Sequence, residues 1–283
     1  MLKRLFALAA LAFAATPAAA WWEYGHETVG RIAYMEARPS TQAAIRRLLA
    51  QSKLLETPTC MATTIAEASY WPDCIKGLGD RFSYASPWHY QNVDICKPFD
   101  LKTACRDGNC VSAQIERNLK LLADKELPAR ERVMALAFLA HFVGDLHMPL
   151  HAGDKGDLGG NRFPVTDGVI ADRTNLHGTR DGWIAERGIS NPPGGPSGVL
   201  SDFSAADRTA MRGGTVEDWS REGWETAREF AYGSVMADPC GPVPAERPVI
   251  DEATTRKLVP IARRQIARGG LRLARLLDEA LGA

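Results

Sequence analysis

Apolar positions along this chain recur at close to 3.6 residues, the spacing that gathers them on one face of a helix. The pattern predicts helices over about Glu27–Ala37, Ser40–Ala50, Thr63–Trp71, Ser112–Asp124, Arg130–Leu146, Val216–Met236 and Arg256–Leu281. In the fifth of these, Val133, Met134, Ala137, Phe138, Leu139 and Phe142 leave little polar face, so it is expected to run through the middle of the fold. Strand-like alternation is scarce, and no internal repeat is visible. Two segments break the pattern. Ala152–Asn161 is glycine-rich, and Gly188–Gly198 contains N-P-P-G-G-P-S-G, expected to hold neither helix nor strand. Loops of this kind on a helical scaffold often carry binding residues. With no linker to divide the chain, the expected fold class is all-α, a single domain over residues 21–283.

Residues 1–20 are excluded from that domain. Lys3 and Arg4 precede an apolar run from Leu5 to Ala15, and Ala18-Ala19-Ala20 fits the small-residue rule for signal cleavage before Trp21. The apolar run is too short to span a bilayer stably. An exported protein, periplasmic or extracellular, is therefore expected. Removing the two basic residues of the signal leaves 32 Lys and Arg against 34 Asp and Glu. That balance argues against a protein gripping nucleic acid through many phosphate contacts. It leaves room for an enzyme whose positive charge comes from metal ions.

The six cysteines of an exported chain most simply form three disulfides, although fifteen pairings are possible. Cys105 and Cys110 enclose a short loop, Cys60 and Cys74 flank an expected helix, and Cys96 and Cys240 would join distant parts. None has the C-x-x-C spacing of a zinc knuckle or redox site.

Five of the six histidines sit beside carboxylates at suggestive spacings. His141 and Asp145 are four apart, one turn along the same face of the apolar helix, and His177 and Asp181 repeat the interval. His151 follows in P-L-H, Asp73 and His89 lie upstream, and His26 comes soon after the expected cleavage point. Taken singly, each pair reads more simply as a surface feature and each lone histidine as packing. The apolar helix changes this, because a buried His and Asp there need partners. Zinc takes imidazole nitrogen and carboxylate oxygen, and a carboxylate can bridge two ions. His147, six residues from His141, faces elsewhere and is read as a packed supporting residue.

The order W…G-H, W-P-D, W-H-Y, H-F-x-G-D-x-H-x-P-L-H, G-G-N and N-L-H-x-x-x-D resembles the secreted trinuclear-zinc nucleases of fungi and plants. The resemblance implies a single-strand-preferring endonuclease on DNA and RNA that releases 5′-phosphorylated products, with 3′-nucleotidase activity and three zinc ions. Asp73, His89, His141 and Asp145 would hold the first ion. The Trp21 α-amine and carbonyl, His26 and the other oxygen of Asp145 would hold the second. His151, His177 and Asp181 would hold the third, the more exposed of the three. Asp73 would also orient the nucleophile. Lys76 stands where the family has an arginine facing phosphate, which keeps the charge but not the bidentate fork. Tyr90 and Leu158 would wall a base slot, with Asn92 in place of a family acid and Asn161 nearby. Trp22 replaces a usual glycine. No stable protein partner is implied, and a monomer is expected.

Two rivals remain at this point. A zinc-dependent phospholipase C-like enzyme would share scaffold and metals, but the N-L-H-x-x-x-D pattern and Tyr90 favour nucleotides. A non-catalytic metal-storage protein would have closed sites, against which the G-G-N loop beside the third site argues.

Overall fold

The computed structural model describes residues 21–170 and 172–282; the expected signal segment 1–20 lies outside them. Seven long helices carry the fold: α1 (Glu23–Glu36), α2 (Pro39–Leu49), α3 (Ile65–Cys74), α4 (Val111–Ala123), α5 (Ala129–Leu146), α6 (Val216–Thr226) and α7 (Glu252–Leu281). Local chemistry fixes several of their starts. Thr64 and Glu67 form a reciprocal capping box at α3, Thr215 and Asp218 another at α6, and Asp251 accepts from the Thr254 amide at α7.

α5 is the axle. From Ala135 to Leu146 every side chain is buried, and α3, α4, α1 and α7 pack around it. Phe138 and Phe142 stack at 5.2 Å, with Trp71 edge-on to Phe138 at 5.5 Å and Trp88 edge-on to it at 5.6 Å. Aromatic pairs in these geometries gain about 0.5–1.5 kcal/mol beyond the area they bury. The same side chains press α3 and the Trp88–Asn92 segment against the C-terminal half of α5, where the histidines lie.

Strands are present but minimal, which is why no alternation is legible in the sequence. β1 (Val93–Asp94) pairs in parallel with β2 (Gly153–Asp154). β3 (Pro164–Asp167) lies between antiparallel β4 (Asp172–Asn175) and parallel β5 (Val249–Ile250). None exceeds four residues, too few for a period of two to show.

Two expectations need correction. The 188–198 segment is not wholly irregular: helix Ala185–Ser190 enters it and helix Gly195–Ser201 begins inside it. Pro196 sits in the first turn of that second helix, where its missing N–H costs nothing, and Val199 and Leu200 are buried below it. The helix expected over Val216–Met236 is α-helical only to Thr226, then widens to a π-turn at Ala227–Ala231 and tightens at Tyr232–Ser234. Gly233 and Ser234 are weak helix formers, and the buried Tyr232 hydroxyl donates to Asp157 at 2.6 Å.

The cysteines pair as Cys60–Cys74, Cys96–Cys240 and Cys105–Cys110. The first ties the lead-in of α3 to its end, and the second fastens the segment after β1 to the region beyond Ser234. Among the described residues, no helix is long and apolar enough to cross a membrane.

Candidate metal centre

Three groups of buried histidine and aspartate converge at the C-terminal end of α5: His26 with His141 and Asp145; Asp73 with His89 and His141; His151 with His177 and Asp181. The elements deliver them in simple ways. His26 projects from the first turn of α1, and Asp73 from the last turn of α3. His141 and Asp145 share one face of α5. His151 lies in the turn after Pro149, and His177 and Asp181 follow β4, the aspartate within a π-helical turn over Thr179–Ile184. Such π-turns are frequent at functional sites.

Backbone carbonyls orient the rings. The Nδ1–H of His141 donates to Ser69 O at 2.7 Å, that of His151 to His89 O at 2.6 Å, and that of His177 to Gly159 O at 2.8 Å. In each case Nε2 faces the centre as a lone-pair donor, the arrangement by which outer hydrogen bonds set metal-binding tautomers. His89 is turned the other way, presenting Nδ1.

The ligand atoms are spaced for a small cation. Asp145 Oδ2 lies 3.0 Å from His89 Nδ1 and 3.1 Å from His141 Nε2, while its Oδ1 lies 3.4 Å from His26 Nε2. Its two oxygens thus serve different groups. Asp73 Oδ1 is 3.6 Å from both His89 Nδ1 and His141 Nε2; in the third group His177 Nε2 is 3.3 Å from His151 Nε2 and 3.8 Å from Asp181 Oδ2. Tetrahedral zinc with bonds near 2.0–2.2 Å separates its ligand atoms by about 3.4 Å.

The electrostatics ask for cations. Burial, and then the neighbouring Asp73 and Asp145, push the Asp181 carboxyl well above its ordinary range, and no side-chain donor reaches either oxygen. Asp73 Oδ2 is likewise buried without a hydrogen-bond partner. Burial lowers His89 and His151 to about 4 and His177 to about 3, keeping these rings neutral as metal ligation requires. His141 alone moves up: Asp145 and Asp73 outweigh its burial. Three buried carboxylates among buried imidazoles fit divalent ions and are costly without them.

Around this core lie the expected substrate residues. Lys76 Nζ stands 2.5 Å from Asp73 Oδ1. Tyr90 is 41% and Leu158 50% exposed, so both present apolar surface to solvent beside the centre. Their segments are tied together: Gln91 N–H donates to His151 O, and β1 and β2 continue the pairing. Leu158 and Asn92 both hold positive φ, 62° and 50°, a strain that often marks binding loops. The Asn161 side chain donates to Leu158 O at 2.8 Å and braces the glycine loop. His147 stands apart, its Nδ1–H donating to Val143 O and its Nε2 accepting from Arg272 at 2.8 Å.

Trp21 is almost fully buried, its indole N–H donating to Gly144 O at 2.7 Å, and its backbone nitrogen faces the Asp181 carboxylate. Sequence reasoning gave no role to Gly144, the glycine of H-F-x-G-D, and did not single out Gly182. A Cβ on Gly144 would stand 2.8 Å from His26 Nδ1, and one on Gly182 would stand 2.5 Å from the Trp22 ring. Only spatial proximity reveals such close approaches, since neither glycine has a positive φ or a turn to announce it.

The chain is similar to known nucleases over most of its length. Endonuclease 2 of Arabidopsis thaliana is 25% identical, over 96% of this chain and 94% of its own length. Endonuclease 4 of the same plant is 28% identical, over 91% and 88%. Nuclease P1 of Penicillium citrinum is 23% identical, over 93% and 98%. The S1/P1 Nuclease family model matches residues 21–282, nearly the whole chain, and the chain belongs to that family of hydrolytic nucleases.

Proposed function

We propose that the chain is an exported, zinc-dependent endonuclease that cleaves single-stranded DNA and RNA to 5′-phosphorylated products and acts as a 3′-nucleotidase. The observation that carries the reading is the trio of adjacent His/Asp groups, whose buried carboxylates require cations. In this reading Asp73, His89, His141 and Asp145 hold one zinc, and His26, Asp145 and the Trp21 α-amine and carbonyl a second. His151, His177 and Asp181 hold a third. Zinc bound there lowers the pKa of water towards 7 and offsets charge on phosphate oxygens.

The chain's own residues supply the rest. Asp73, with one oxygen committed to Lys76 and the other lacking a hydrogen-bond partner, orients the attacking water. Lys76 brings a positive charge to the mouth of the centre, where it meets the phosphate. Tyr90 and Leu158 take an unstacked base between them, with Asn92 and Asn161 at its edge. A base inside a duplex is not free to enter such a slot, hence the single-strand preference. Export follows from residues 1–20: signal removal before Trp21 frees the α-amine, and the family match begins at that residue. The chain works as a monomer.

Metal analysis of the purified mature chain, paired with product analysis on single-stranded DNA, RNA, duplex DNA and phosphatidylcholine, tests this. Three zinc ions and 5′-phosphorylated products from single strands are expected. One ion or none in active protein, or full activity after exhaustive chelation, sinks the three-ion centre. Faster turnover of phosphatidylcholine than of single-stranded DNA replaces the nuclease reading with the phospholipase one.

A further inference from the structure

The residue after Trp21 is held by both its ring and its backbone. The Trp22 indole is half-buried and meets Trp183 edge-to-face, with ring centroids 4.7 Å apart at 71°. It covers Gly182 so closely that any side chain there would collide with it, a Cβ coming within 2.5–2.7 Å of three ring atoms. Its backbone N–H donates to Asp181 O at 3.3 Å, and its carbonyl accepts from the Gly25 amide at 2.7 Å and the His26 amide at 3.3 Å. Trp22 therefore joins two separate pieces of the centre: the first turn of α1, which carries His26, and the π-turn, which carries Asp181. Trp21, on its other side, has its ring buried and its indole N–H donating to Gly144 O, which fixes the side chain but leaves the placing of the backbone nitrogen to the residue that follows.

We propose that Trp22 is a positioning residue: clamped on Gly182 and Trp183, it holds the Trp21 nitrogen against Asp181 and thereby sets the metal affinity of the centre. The proposal rests on the reading that the Trp21 α-amine is a metal ligand. A terminal amine whose neighbouring residue is not fixed can swing about its own backbone, and ordering it on each binding event costs backbone entropy. Packing the neighbouring ring into a seat that only glycine leaves open makes the terminus rigid beforehand. Asp181 gains as well, because the residues seating the ring, Gly182 and Trp183, follow it directly in the π-turn.

The test uses two forms of the mature chain, one beginning at Trp21 and one with two extra glycines before it. Each is made with Trp22, Trp22→Ala and Trp22→Phe. Zinc stoichiometry and affinity are read by competition with a chromophoric chelator. In the chain beginning at Trp21, Trp22→Ala is expected to weaken binding of one ion about tenfold or more, the usual effect of losing a residue that orients a ligand, and Trp22→Phe to restore most of it. In the extended chain, whose amine is already blocked, Trp22→Ala should cause no further loss. Any packing the indole contributes to the fold is lost equally in both forms, so the comparison isolates its action through the terminus. Equal zinc affinity of Trp22→Ala and parent, or the same fold loss in both forms, overturns the proposal. If the extension alone leaves zinc binding unchanged, the α-amine ligand itself is refuted, and the proposal falls with it.

Discussion

Asp181 and Tyr90 show how one side chain can be costly to the fold and useful to the site. Asp181 is buried with no side-chain donor and with two other carboxylates acting on it. Replacing it by the isosteric amide removes a buried acid whose ionised form only a cation can offset. Asp181→Asn is therefore expected to leave the metal-free chain at least as stable as the parent while lowering its zinc content by one ion, measured by denaturant unfolding and metal analysis. A metal-free variant clearly less stable than the parent would show that Asp181 has a structural partner instead. Tyr90 acts on the other side of the chemistry. The metals see phosphate, which every phosphodiester shares, whereas only an aromatic wall recognises a base. Tyr90→Ala should raise KM for single-stranded oligonucleotides roughly tenfold, the equivalent of about 1–3 kcal/mol of stacking. Zinc content and hydrolysis of a small phosphodiester lacking a base should stay unchanged. If both substrates suffer equally, Tyr90 supports His89 and the base slot lies elsewhere.

At the scale of elements, the centre depends on α1 and α5 approaching each other closely, and Gly144 is where they do. A Cβ at that position would stand 2.8 Å from the buried His26 ring and 3.8 Å from the Trp21 indole, neither of which has room to retreat. Gly144→Ala raises intrinsic helix propensity by about 1 kcal/mol. It should nevertheless destabilise the chain by about 1–3 kcal/mol through overpacking and reduce bound zinc, as read by thermal unfolding and metal analysis. A gain in stability would place the helices farther apart than the structure does. The example also marks how far the sequence could be read. α5 announced itself through its unbroken apolar surface, and His141 and Asp145 through their four-residue spacing, because both depend on local periodicity. What packs against that face was hidden. Ser69 O, His89 O and Gly159 O, which orient three imidazoles, are backbone atoms that carry no residue signature. Trp22, Gly182 and Trp183 come together from positions some 160 residues apart. The π-turn and the short strands fall below the length at which any period can be recognised.

At the scale of the whole molecule, two kinds of cross-link hold the helices together, and they can be separated by experiment. The disulfides act chiefly by restricting the unfolded chain, so their effect grows with the length they close. For separations of 144, 14 and 5 residues the loop-entropy relation gives about 5, 3 and 2 kcal/mol. Opening Cys96–Cys240 by paired Cys→Ser replacement should therefore cost most and opening Cys105–Cys110 least, with a reversed order pointing to effects on the native state. The metal centre acts differently, because ions stabilise only the state that binds them. It gathers ligands from the start of α1, the end of α3, the Trp88–Asn92 segment, the end of α5 and the turn after β4, so unfolding disperses all three groups together. Ions released on unfolding make stability rise with free zinc by RT ln 10 per ion for each tenfold increase once the sites are saturated. One ion gives about 1.4 kcal/mol per decade and three give about 4. Denaturant unfolding in a series of zinc buffers, with disulfides intact, reads this slope directly. A slope near the three-ion value is expected at high free zinc, breaking to a shallower one as the weakest site empties. Because His151, His177 and Asp181 form a group apart from the Asp145-linked pair, Asp181→Asn should remove one ion's share of the slope and leave the other two. A slope of a single ion in the parent chain would mean that the three groups fold around one cation, whatever the enzyme's activity.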